Sequence, residues 1–138
     1  MVVTRDSLTP IDFGELHILD YTAGHDLSSS LAVIEVPAGA SHPEAWSERS
    51  DKYYLTIAGA IQFELERRVY YLSPGDFCLV RQGQRFAYSN PTNDPATLVL
   101  CTRRTSSSGQ RDLPRHGSSK RTMRARPNVR SFGIRRCA

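Results

Sequence analysis

Lys52 is the residue of this 138-residue sequence whose chemistry is easiest to define. If its ammonium group is buried among aromatic side chains, the group must either find a partner or lower its pKa. It could then bind the carboxylate, phosphate or phenolate of a ligand, or act as an acid–base or Schiff-base amine. The structural alternatives are an ion pair with Glu44, Asp51 or Glu64, or a side chain that reaches solvent from the start of its strand.

Two tyrosines and a serine are further candidates. The hydroxyls of Tyr54 and Tyr88 could orient a ligand or transfer a proton, although buried tyrosines are also typical of a core. Lys52, Tyr54 and Tyr88 are therefore the candidate catalytic residues. Ser47 could act as a nucleophile with Lys52 as its base, but no oxyanion site can be named.

The four histidines do not have the spacing of a metal site. His42 lies in the segment Ser41-His42-Pro43-Glu44. We predict that it lies in an exposed loop; the alternative is a position at the rim of a binding site, together with Glu44 and Trp46.

Short apolar runs separated by turn residues predict strands from about residue 12 to residue 102. No stretch shows three turns of an amphipathic helix, and the spacing of the runs, about ten residues, favours a sandwich or barrel. The predicted strands are Glu15–Asp20, Leu31–Val36, Tyr53–Ala58, Ile61–Glu66, Arg68–Leu72, Phe77–Val80, Arg85–Ser89 and Thr97–Thr102.

Strand alternation groups the candidate residues into two faces. Lys52 and Tyr54 share one face of their strand with Thr56. Phe86, Tyr88 and Asn90 share one face of a second strand. Which side of the sheet these faces occupy does not follow from alternation alone.

Turn residues recur between positions 39 and 90, at Gly39, Gly59, Pro74-Gly75-Asp76, Gly83 and Asn90. Their spacing resembles the two motifs of the cupin superfamily. Fifteen residues separate Gly59 from Gly75, as in small microbial cupins. The resemblance covers roughly residues 12 to 102 and implies an all-β fold, a single RmlC-like double-stranded β-helix, or jelly-roll barrel.

The same resemblance locates the positions where cupins hold a metal with three histidines and a glutamate. This sequence has Ala45, Ser47, Lys52 and Phe86 there. None is a strong metal ligand, and the ammonium would repel a cation, so we expect no metal and no other cofactor. Since cupins point these positions inward, the resemblance implies a pocket. Its predicted ligand-binding residues are Ser47, Lys52, Tyr54, Phe86, Tyr88 and Asn90.

Three functions remain open at this level, because cupins include enzymes and binding proteins. The first is a metal-free cupin domain that binds a small anionic or aromatic ligand. The second is a metal-independent isomerase, cyclase or lyase that uses Lys52 with Tyr54 or Tyr88. The third is a non-catalytic structural or interaction barrel. Because cupins commonly dimerise, we expect a homodimer with residues 1–20 as the partner surface.

Composition divides the chain after Thr102. Residues 1–102 contain 7 Lys and Arg against 13 Asp and Glu, whereas residues 103–138 contain 11 against 1. We therefore predict a barrel over 1–102 and a disordered basic tail over 103–138. Such a tail could bind anions weakly, but it has no nucleic-acid motif. Alternatively it arose by a frameshift, because codons for Cys101–Ser108 can give a plausible last-strand ending in another frame.

The remaining sequence features concern location. No run of about 18 apolar residues is present, so no membrane span is expected. The N-terminus lacks a basic and then apolar segment typical of a secretory signal. The three cysteines do not form a disulfide framework. We therefore expect a cytoplasmic protein.

Overall fold

The structure is a computed structural model that describes residues 1–104 and 134–136. Within these residues, one short 3-10 helix, Arg5–Ser7, precedes eleven strands. No helix among them is long and apolar enough to cross a membrane. The strands are β1 Ile11–Phe13, β2 Leu16–Asp20, β3 Ser29–Val36, β4 Ser41–Ser47, β5 Ser50–Ala58, β6 Ile61–Leu65, β7 Arg68–Leu72, β8 Phe77–Val80, β9 Arg85–Ser89, β10 Ala96–Arg104 and β11 Ile134–Arg136.

The strands form two antiparallel sheets. The larger sheet has the order β1-β2-β3-β10-β5-β8, and the smaller has the order β11-β4-β9-β6-β7. Alternate residues of both sheets point into one shared apolar core. The predicted all-β jelly roll with little helix is therefore confirmed.

Strands β1, β4 and β11 were not predicted from the sequence. Of these, β4 matters most for the candidate site. Its apolar pattern is interrupted by Pro43 and Glu44, which lie where the pairing with β9 shifts register between His42 and Ala45. A proline within a sheet is tolerated at such a bulge. Because the bulge breaks the alternation of apolar and polar residues, this seven-residue strand could not be predicted from alternation.

The predicted tail lies mostly outside the described residues. The barrel's last strand runs two residues past the predicted boundary, to Arg104. Further on, β11 pairs with the backbone of β4. The predicted disorder and the frameshift alternative both concern residues that lie largely outside the described part of the chain.

Gly59 fixes the turn between β5 and β6 in a conformation that only glycine adopts easily. Its φ is +72°, and a Cβ there would lie 2.7 Å from the Cα of Ala96. We expect Gly59→Ala to lower the free energy of unfolding by more than about 2 kcal/mol, since backbone strain and a backbone clash add. Urea denaturation measures the change.

Gly83→Ala is the matched control for this turn. Gly83 also has a positive φ, +87°, but a Cβ there would meet nothing within 4 Å. Gly83→Ala should lower the free energy of unfolding by about 1 kcal/mol, from the backbone strain alone. Equal losses for the two variants would show that the contact with Ala96 does not matter.

Candidate functional site

The four positions that correspond to the cupin metal ligands all face the interior. Ala45 and Ser47 come from β4, Lys52 from β5 and Phe86 from β9, and all four are buried. Ala45 lies directly opposite Phe86 in the pairing of β4 with β9. The predicted inward direction of these positions is therefore confirmed. In the described part of the chain, no three His, Cys, Asp or Glu side chains come together as a metal site would require.

Lys52 is buried without a counter-charge among the described residues. The residue is only 2% exposed, which counts against the predicted alternative of an amine that reaches solvent. The predicted ion-pair partners are not paired with it. Glu44 contacts Arg85 at 3.6 Å instead, and the Asp51 carboxylate accepts a hydrogen bond from the backbone N–H of Gln82 at 2.9 Å.

Burial lowers the pKa of the Lys52 amine from 10.5 to about 8. The cause is desolvation, which disfavours the charged form of an amine. At pH 7 a group with that pKa is still protonated in about nine molecules of ten. The barrel therefore holds a positive charge whose neutralisation by an anion would be favourable.

Ser47 lies at the end of β4, where its hydroxyl has a structural bond. The hydroxyl donates to the backbone carbonyl of Ser50, across the connection that leads into β5. In a Ser–Lys nucleophile the hydroxyl would donate to the amine instead. This geometry does not fit a nucleophile, but the oxygen can still accept a hydrogen bond from a ligand or from Lys52.

Four aromatic rings fill the barrel beyond Lys52. Tyr54 lies with its ring centroid 5.2 Å from Phe63 and 5.6 Å from Tyr88. Phe86 is 6.0 Å from Tyr54 and 6.3 Å from Phe63. We call these four residues, Tyr54, Phe63, Phe86 and Tyr88, the aromatic cluster. Phe63 was missed as a site residue, although its alternation with Ile61 in a predicted strand was the available signal.

The two tyrosines of the cluster are protonated at neutral pH. Burial raises the pKa of Tyr54 well above its ordinary value, and the nearby Tyr88 and Cys78 raise it further. Burial also raises the pKa of Tyr88. Their hydroxyls can therefore donate hydrogen bonds, but they are poorly suited to act as general bases.

His42 is buried, and the prediction of an exposed loop is wrong. Its side chain is 4% exposed and stacks on Tyr88, with ring centroids 4.9 Å apart, and on Phe13 at 5.2 Å. Its Nδ1–H donates to the carbonyl of Pro43 at 2.7 Å. The bulge in β4 is the reason, because it turns both His42 and Ala45 inward although three positions separate them.

Asn90 is also buried, but its side chain is occupied by the loop that follows β9. Its Nδ2 donates to the carbonyls of Val36 and Asp94, at 3.0 and 2.6 Å. Its Oδ1 accepts from the backbone N–H and the hydroxyl of Thr92. These four bonds use the whole hydrogen-bonding capacity of the amide. Asn90 therefore has a structural role, and the site proposed below does not include it.

Thr56 carries a buried hydroxyl with no hydrogen-bond partner among the described residues. It lies on the same inward face of β5 as Lys52 and Tyr54. Buried polar atoms without partners are uncommon in proteins. The inward face of β5 therefore presents two polar groups that a ligand or water could satisfy, Lys52 at its start and Thr56 four residues later.

Lys52 lines neither of two cavities found among the described residues. The larger, about 250 Å³, lies at the surface between the N-terminal segment and the larger sheet, beside Arg5, His17 and Glu35. The smaller, about 10 Å³, lies next to Phe86 and has room for about one water molecule. A ligand of Lys52 must therefore be small or must displace side chains of the barrel.

A model of the cupin domain matches residues 32–102 of the sequence, half of the chain. No curated protein matches it.

Solved cupin structures share the fold. The cupin domain of Cnp3 from Schizosaccharomyces pombe is 16% identical, with a TM-score of 0.66 over 75% of this chain and 73% of that one. A predicted oxalate decarboxylase from Thermotoga maritima is 18% identical, with a TM-score of 0.68 over 76% and 100%. A cupin sugar phosphate isomerase from Silicibacter pomeroyi is 16% identical, with a TM-score of 0.65 over 76% of each chain. At these identities the likeness shows the fold alone.

Proposed function

Because the chain belongs to the cupin domain family, we propose that it binds a small anionic organic molecule in its barrel, without a metal ion. The observation that carries this proposal is the buried ammonium of Lys52. It is 2% exposed and has no ion pair with any carboxylate of the described residues. A buried charge without a partner is costly, so an anion that reached it would be bound favourably.

The donor set of the family's metal position does not fit a metal. A methyl group, a hydroxyl, an ammonium and a phenyl ring stand at Ala45, Ser47, Lys52 and Phe86. Imidazole, carboxylate and thiolate are the strong side-chain ligands of divalent metals in proteins, and none of them stands here. The positive charge of Lys52 adds electrostatic repulsion. The same charge favours an anion in that place.

The neighbouring side chains define the class of ligand. The hydroxyls of Tyr54 and Tyr88 can donate hydrogen bonds to a carboxylate, whereas the Ser47 hydroxyl already donates to Ser50. The rings of the aromatic cluster pack on one another, so an aromatic body would lie against them only by displacing part of the cluster. The ligand is therefore a small carboxylate with an aromatic or apolar part, bound with its anionic group at Lys52.

Benzoate is a suitable probe, with benzamide as its neutral counterpart of the same shape. Benzoate at 100 times its dissociation constant should stabilise the protein by about 2.7 kcal/mol, which a thermal shift assay detects. Benzamide should have no effect. Lys52→Met should remove the effect of benzoate, because the variant keeps most of the side chain's length without its charge.

Arg81→Met is the control for nonspecific anion binding. Arg81 is exposed and follows Val80, the residue paired with Lys52 in the sheet. Benzoate should stabilise the Arg81→Met variant as much as it stabilises the wild type. Equal stabilisation of wild type and Lys52→Met by benzoate, or none in wild type, would count against the proposed site.

The affinity for benzoate should fall above pH 8. The ligand remains an anion throughout, but the Lys52 amine, whose pKa is about 8, loses its charge as the pH rises. The apparent dissociation constant should then rise about tenfold per pH unit. Calorimetric titrations between pH 6.5 and 9.5 measure it, and a flat profile would exclude Lys52 as the anion partner.

The packed interior favours a second candidate, a barrel whose main property is association with another protein. The rings of the aromatic cluster pack on one another beyond Lys52, and Lys52 lines neither of the two cavities described above. This candidate predicts that no small anion stabilises the protein. The benzoate experiment therefore separates the two functions.

A further inference from the structure

The inward face of the larger sheet becomes polar at one end. Across β3, β10 and β5, the inward residues stand side by side in register, in rows of three. The row nearest the start of β3 and β5 consists of Ser30, Thr102 and Lys52, and we call it the polar row. The two deeper rows are Ala32, Leu100 and Tyr54, and then Ile34, Leu98 and Thr56.

The polar row lies where the barrel meets solvent. Ser30 and Thr102 are half-buried, whereas all six residues of the two deeper rows are buried. Ser30 is the second residue of β3, and Thr102 stands near the end of β10. Lys52, directly beside Thr102, is the most buried member of the row.

The hydroxyls of Ser30 and Thr102 are hydrogen-bonded to each other across β3 and β10. Within the described part of the chain, neither hydroxyl makes another hydrogen bond. Each hydroxyl has one hydrogen to donate and two lone pairs to accept with. Their mutual bond uses one hydrogen and one lone pair. The pair therefore keeps one hydrogen and several lone pairs for a ligand or water.

Lys52 places a different chemistry beside this hydroxyl pair. Neighbouring strands lie about 4.8 Å apart, and side chains directly opposite on one face reach each other. An ammonium can only donate, and its charge selects an anion, which only accepts. The hydroxyl pair can both donate and accept, so it matches a group that does the same. The polar row thus combines a cation with a site for a hydroxyl.

We propose that the polar row selects a carboxylate with a hydroxyl on the adjacent carbon, a 2-hydroxycarboxylate. The carboxylate lies at Lys52, and the ligand hydroxyl lies at the pair formed by Ser30 and Thr102. Hydrogen bonds of about 2.8 Å from each group allow so short a molecule to bridge adjacent strands. The inference rests on the proposed anion site and adds the class of the ligand's second polar group.

Mandelate and phenylacetate are matched probes, because they differ only by the hydroxyl on the carbon next to the carboxylate. Calorimetric titration of the full chain at pH 7 should give mandelate a dissociation constant about 10-fold lower, as one additional hydrogen bond provides. Thr102→Val replaces the hydroxyl by a methyl group in a side chain of the same shape. In this variant the ratio of the two dissociation constants should fall from about 10 to about 1.

Two further variants make the result specific. Thr97→Val makes the same change at the other end of β10, where Thr97 pairs with Glu35 and Ala58, and the ratio of about 10 should remain. Lys52→Met should bind neither acid. Circular dichroism checks that each variant is folded. The comparison of the two acids in wild type needs no variant, so it decides even if Thr102→Val does not fold.

The outcomes separate this inference from the anion site itself. Equal affinities of wild type for the two acids, or a ratio that stays near 10 in Thr102→Val, would overturn the inference and leave the anion site standing. If wild type binds neither acid, or if Lys52→Met binds mandelate as wild type does, both proposals are wrong.

Discussion

Phe63→Ala is expected to lower the free energy of unfolding by about 4 kcal/mol. The Phe63 side chain is fully buried. Its ring lies within 6.3 Å of the ring centroids of Tyr54, Phe86 and Tyr88. The substitution loses the free energy gained by transfer of the Phe63 ring from water to the core. It also leaves a cavity that the three neighbouring rings are too rigid to close.

Urea denaturation at pH 7 measures this loss. Tyr71→Ala, at a 75% exposed aromatic position of the adjacent strand β7, is the control and should change stability by less than about 1 kcal/mol. A loss of similar size in both variants would mean that the aromatic cluster is not the centre of the core.

Lys52→Met is expected to have the opposite effect and raise the free energy of unfolding at pH 7. The pKa of Lys52 is 10.5 in its ordinary state and about 8 in the folded protein. This difference corresponds to a penalty of about 3 kcal/mol for the protonated amine in the folded state. Methionine fills the same space without a charge.

The gain should depend on pH in a defined way. Below pH 8 the amine is protonated in both states and the penalty is complete. Between about pH 8 and 10.5 the unfolded chain binds the proton and the folded protein does not, so wild type gains stability as the pH rises. The advantage of Lys52→Met should therefore be constant below pH 8 and vanish near pH 10.5.

Comparison of the two proteins at each pH removes the other titrating groups. Burial raises the pKa of the Cys78 thiol to about 11, which lowers the stability of both proteins above its ordinary value of 9.0. This contribution cancels in the difference. If Lys52→Met is no more stable than wild type at pH 7, Lys52 has a stabilising partner and the anion site loses its basis.

The destabilising charge of Lys52 bears on function. Active and binding sites often contain destabilising groups, and stabilising substitutions there cost activity. A leucine or methionine would fill the place of Lys52 more favourably in a purely structural barrel. The expected gain on substitution is thus an argument for a ligand, independent of any binding assay.

The sequence was sufficient for the architecture and for the inward positions. Phe77–Val80 and Arg85–Ser89 are predicted with the bounds that the structure gives them, because clear turn residues flank both strands. Alternation likewise placed Lys52, Tyr54 and Thr56 on one face, and all three are buried.

Contacts between residues distant in the sequence could not be predicted in this way. The burial of His42 depends on a bulge in β4, and the role of Asn90 depends on one carbonyl at the end of β3 and one in the loop after β9. The unpartnered state of Lys52 depends on where Glu44 and Asp51 find their own partners. Each is a property of tertiary packing, which local patterns do not encode.

A lysine titration by NMR tests the central claim most directly, since the chain contains only two lysines, Lys52 and Lys120. With lysine labelled at the ε-carbon, one resonance should titrate near pH 8. It should be absent from the Lys52→Met spectrum, and its pKa should rise when benzoate is added. If both resonances titrate near the ordinary value of 10.5, or if benzoate moves neither, the barrel does not hold a buried amine that binds anions.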